Sequence, residues 1–133
     1  MSAAVLNLPS LLNITILNRH HGTPATAAVR IYIGRGSALG NDYEIGKHGT
    51  RAQCIEQYEV WLIGQLANPR SAAARAISGI VPLALSRGVE LLCSCAPQPC
   101  HGDSVVHVCN AIHYGLPLIA PADAPGRQAA LHF

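Results

Sequence analysis

The sequence predicts an α/β fold: a small three- or four-stranded, mostly parallel sheet flanked by helices, Rossmann-like in its alternation of elements. Three observations predict it. Short runs of β-branched and aliphatic residues alternate along the chain with stretches of helical periodicity. One such run, VELLCSC at 89–95, is apolar over a strand's length, the mark of a fully buried central strand. A glycine-rich loop, GRGSALGN at 34–41, directly follows another predicted strand.

Taken in order, LLNITILN at 11–18 reads as the first strand because β-branched residues run into the turn signal RHHGTP. In AVRIYI at 28–33, Val29, Ile31 and Ile33 alternate with Arg30 and Tyr32, which makes a second strand. After the glycine loop, Thr50 is a good N-cap for a helix over 51–68 that carries Ile55, Tyr58, Leu62 and Leu66 on one stripe. An alanine-rich helix is expected from Ser71 to about Ser78, and Pro82 is expected to start a separate short turn ending at Gly88. The strand at 89–95 follows. Asp103 or Ser104 can then cap a helix with Val105, Val108, Cys109 and Ile112 on one face, closing at Gly115. LPLIAP at 116–121 is a candidate last strand. The whole chain, 1–133, reads as one domain with a core of about 13–115 and a loose C-terminal tail at 120–133.

Composition narrows the function classes. Half of the 133 residues are apolar and 12% are charged, so much of the surface is expected to be covered by the protein's own core or by a second copy, a homo-oligomer. The longest apolar runs are too short for a membrane span, and the N-terminus lacks the basic start of a secretory signal; a cytoplasmic location is expected. A net charge of +2 is spread from Arg19 to Arg127 without clustering, and aromatic residues are few, which argues against a dedicated nucleic-acid surface. Eight of the nine cations are arginine, whose planar fork suits phosphate and carboxylate.

Two loops carry the chemistry. Ligands of open α/β sheets collect beyond the carboxyl ends of the strands, and both GRGSALGN and CAPQPCHGD lie there. In the first loop, Gly34, Gly36 and Gly40 let a ligand approach the main chain while Arg35, Ser37 and Asn41 supply polar groups. The second loop has three readings. Cys93, Cys95, Cys100 and His101 offer zinc four ligands, although their spacing is unlike a zinc knuckle. Cys100, just before a helix N-terminus, could be a reactive thiolate. In the preferred reading, Cys93 and Cys95 are small strand residues, and the helix start holds an anion or sugar. Asp103 then caps the helix or meets a ribose hydroxyl, and His101 donates to phosphate or acts as general acid or base. His20 and His21 could cover the site from the first strand's end, and Cys54 and Cys109 are expected to pack as small hydrophobes.

Assembled in order, ITILNRHHGTP, VRIYIGRGSALGN, IGKHGTRAQCIEQYEVWL and LLCSCAPQPCHGD resemble a bacterial and phage family, domain-of-unknown-function family 4326. That family's pattern runs through Y-I-G-R-x-S-x-x-G-N-P-F, a G-T-R helix start with Y-x-x-W-L, and C-x-C-x-P-x-x-C-H-G-D. Asp42 and Tyr43 depart from its Pro-Phe, and Ser94 replaces an aromatic between the cysteines. The resemblance implies that Gly34, Arg35, Ser37, Gly40, Asn41, Cys95, Cys100, His101 and Asp103 form one site; it implies no activity.

The expected function is binding of a small, phosphorylated, nucleotide-like or sugar ligand, with hydrolysis or transfer at a glycosidic or phosphoester bond as the chemistry that fits Cys100, His101 and Asp103. No cofactor is expected under this reading. The alternative is a noncatalytic interaction module stabilised by zinc.

Overall fold

The computed structural model describes residues 12–20, 28–95 and 98–118. Among them, three strands, β1 (Ile14–Asn18), β2 (Val29–Tyr32) and β3 (Val89–Cys93), form one sheet in the order β1-β3-β2. Both pairings are parallel. The expected apolar run therefore does lie at the centre of the sheet. Three helices, α1 (Arg51–Leu66), α2 (Ala72–Ser86) and α3 (Gly102–Tyr114), complete the α/β fold.

Register explains which residues enter the core. Ile14, Val89 and Val29 align across the sheet, as do Ile16, Leu91 and Ile31, and both rows face the helices. The intervening row Thr15, Glu90 and Arg30 faces away, where the Arg30 Nε donates to Glu90 Oε1 at 2.9 Å. Val89, Leu91 and Cys93 join one cluster with Tyr58, Leu62, Ile77, Ile80, Val105 and Val108, whereas Glu90 and Leu92 do not. The expectation of a strand buried on both faces is thus corrected. Among the described residues the helices share one face of the sheet, so β3 alternates between buried and half-buried positions.

Local chemistry sets the helix limits. Thr50 caps α1 in a capping box, its hydroxyl accepting from the Gln53 N–H while the Gln53 side chain accepts from the Thr50 N–H. The buried stripe of α1 is Cys54, Tyr58 and Leu62, and Ile55 is turned toward a cavity instead of the core. Ser71 caps α2 as expected, accepting from the Ala74 N–H. The expected break at Pro82 does not occur, and α2 runs unbroken to Ser86 with Pro82 inside it. Pro82, Ser78 and Gly79 are all exposed, so the carbonyl freed by the missing N–H faces water. Helix α3 also differs. His101 occupies its N-cap without a capping side-chain bond, and Ser104 Oγ is buried with no partner among the described residues.

Strand β1 starts at Ile14, after Leu12 and Asn13, which are not strand; residue 11 lies outside the described residues. Of the candidate last strand at 116–121, Leu116–Leu118 are not strand, and the remainder lies outside the described residues, as do the 120–133 tail and His21. No helix among the described residues is long and apolar enough to cross a membrane.

Candidate functional site

Parallel pairing of β2 and β3 sends the loops after both strands to the same edge of the sheet. There they enclose, with the first turn of α1, a cavity of about 420 Å³. The glycine loop supplies Gly34, Arg35 and Asn41 to its wall, and the cysteine loop supplies Cys95, Cys100 and His101. Gly36, Ser37, Gly40, Cys93 and Asp103 are not on that wall.

The glycines shape the loop more than they expose it. A Cβ on Gly34 would lie 2.1 Å from Tyr32 Oη, and one on Gly40 would lie 2.6 Å from the Gly34 carbonyl oxygen. Gly36 has φ of 90°, a conformation that L side chains rarely adopt. Ser37 turns its hydroxyl inward to donate to the Gly34 carbonyl at 2.7 Å. The buried Tyr58 Oη donates to the Leu39 carbonyl at 2.7 Å and fastens the loop to α1. Asn41 Oδ1 accepts from the Tyr43 N–H at 2.9 Å, which starts the following turn.

The start of α3 is self-contained. The Gly102 N–H donates to Cys100 Sγ, the Asp103 N–H to the Cys100 carbonyl and the Ser104 N–H to the His101 carbonyl. Asp103, exposed, accepts the Cys100 N–H at 3.4 Å. These bonds occupy the donors that an anion at a helix N-terminus would use.

His101 is 7% exposed and lies edge-on to the Tyr58 ring. Its Nε2 stands 2.5 Å from the Ile33 carbonyl oxygen. Since a carbonyl only accepts, Nε2 carries the proton and Nδ1 is the ring's bare nitrogen. Burial lowers the imidazole pKa below its ordinary value, opposed by the Ile33 bond and by Asp103. Cys100 is buried, and its thiol is pushed up to about 12, chiefly by desolvation. A thiol held so high is a poor thiolate source near neutral pH. Its sulfur lies 3.6 Å from that of Cys93, a pair rather than a ligand set. Among the described residues no three His, Cys, Asp or Glu side chains converge as metal ligands. Cys109 is buried in the apolar core cluster, whereas Cys54, also buried, lines the cavity with its Sγ 3.8 Å from the Gly49 carbonyl oxygen.

Sequence reasoning missed Tyr32, Tyr43, Glu44 and Arg51, all on the cavity wall. Arg51 follows the helix cap, and its Nη1 donates to the Pro99 carbonyl at 3.1 Å, joining α1 to the cysteine loop. The G-T-R at the start of α1 was its available signal. Arg35, with its side chain 62% exposed, forms a loose ion pair with Glu44 at 3.8 Å.

Fold and site together define a small α/β protein with a cavity at the carboxyl edge of a parallel sheet, lined by both polar and apolar side chains. The chain belongs to the family described as Domain of unknown function (DUF4326), which matches residues 16–111. A relative from Enterobacteria phage T4, described as "Uncharacterized 12.4 kDa protein in nrdA-td intergenic region", is 34% identical over 83 residues, covering 62% of this chain and 68% of the relative. No solved structure matches the chain significantly.

Proposed function

We propose that this protein binds a small phosphorylated ligand, a nucleotide or sugar phosphate, in the cavity at the carboxyl edge of β2 and β3. One observation carries the reading: two guanidinium groups, Arg35 and Arg51, stand on one small cavity wall where Glu44 is the single carboxylate. Arginine forks match phosphate oxygens in pairs, and a cavity of about 420 Å³ falls in the range of small-molecule sites. The N–H groups at the start of α3 are already hydrogen-bonded, which favours these side chains over the helix end as partners for an anion. Among the wall residues, His101 and Glu44 carry the basic atoms that hydrolysis or transfer at a phosphoester or glycosidic bond would use.

Calorimetric titration of the purified chain with ribose 5-phosphate and with adenosine and uridine 5′-monophosphates tests the reading. Saturable binding by the wild type is expected, with Arg35→Ala and Arg51→Ala each weakening it about tenfold or more, the worth of one charge-assisted contact. A wild-type protein that binds none of the three, or variants that bind as the wild type does, would overturn it.

A further inference from the structure

We infer that Tyr32 is a stacking platform and that the ligand of this cavity carries a flat heteroaromatic base as well as its phosphate: a nucleotide, and not a bare sugar phosphate. The inference rests on the phosphate-binding reading above.

Tyr32 closes β2 at the edge where the cavity opens, on the sheet face it shares with Arg30, and it is 39% exposed. An exposed tyrosine normally samples several rotamers, but three features seat this one. Its Oη reaches the Arg35 carbonyl at 3.4 Å. The Arg19 guanidinium lies over its ring, 4.8 Å from the centroid. Gly34 gives up the volume that a side chain would take, since a Cβ there would lie within 2.4 Å of three atoms of the Tyr32 side chain. Tyr32 lies on the cavity wall and Arg19 does not.

Tyr43 stands on the same wall, held edge-on by His48 with ring centroids 5.6 Å apart. Two of the chain's four tyrosines therefore border one cavity. A sugar phosphate is held chiefly through donors and acceptors, whereas a flat base gains substantially by stacking on an aromatic face. Arg35 follows Tyr32 by three residues, its backbone carbonyl accepts from the Tyr32 hydroxyl, and both residues line the same cavity.

The test compares adenosine 5′-monophosphate with ribose 5-phosphate, by calorimetry on the full chain. The wild type is expected to prefer the nucleotide by about 5- to 150-fold, the usual worth of one stacked base. Tyr32→Leu should abolish that preference while changing the affinity for ribose 5-phosphate less than about twofold, and Tyr32→Phe should keep it. Equal wild-type affinities, or a preference that survives Tyr32→Leu, would overturn the inference and leave the phosphate reading standing. Binding of neither probe, nor of uridine 5′-monophosphate, would overturn both. Where the leucine variant fails to fold, Tyr32→Gln takes its place, with the same expected loss of the preference and the same overturning result.

Discussion

The imidazole of His101, at the cap of α3, donates from Nε2 to the carbonyl oxygen of Ile33, the residue that follows β2, across 2.5 Å and 68 positions of sequence. This bond ties the cysteine loop to the root of the glycine loop, so the two halves of the cavity are held by one buried side chain.

Stability should therefore depend on pH through His101. Its folded pKa lies below the ordinary 6.5, so the unfolded chain takes up a proton first as pH falls. The contribution of the neutral ring is complete above about pH 6.5 and declines below it, by at most about 1.4 kcal/mol per pH unit, until the folded pKa is reached. His101→Gln keeps a donor for Ile33 and cannot titrate. Urea denaturation from pH 7.5 to 5 should show a shallower decline for the variant than for the wild type, and parallel curves would contradict the assignment.

Tyr58→Phe should cost about 1–2 kcal/mol, because Leu39 is 2% exposed and its carbonyl would be left buried without the hydroxyl that now donates to it. Chemical denaturation at pH 7.5 measures this. A loss below a few tenths would mean that water replaces the phenol.

Gly40→Ala should destabilise by about 1–3 kcal/mol, since the added carbon meets the Gly34 carbonyl at 2.6 Å and backbone cannot swing aside. Gly64→Ala, exposed within α1 and with nothing within 4 Å, should instead stabilise by about 0.5–1 kcal/mol. Thermal melts of the two variants should move in opposite directions.

Much of the architecture was legible because it rests on local signals. Apolar runs of strand length placed β2 and β3, the capping residues Thr50 and Ser71 placed two helix starts, and the apolar run at 89–95 belonged at the sheet's centre. Pro82 misled because proline's cost depends on whether the freed carbonyl can reach water, a fact of orientation that spacing does not carry.

The candidate site divides along the same line. By itself the sequence determined that two loops, one rich in glycine and one in cysteine, would each follow a strand, since strand periodicity and turn residues act over a few positions. Only the tertiary structure decided which side chains from those loops share a cavity. Parallel pairing brought Arg51 and Tyr32 to the wall and left Ser37 and Asp103 engaged in local turns, and burial made Cys100 a packed thiol and His101 a tie between loops. Those outcomes depend on contacts between residues tens of positions apart, and on the water those contacts exclude, neither of which a linear pattern records.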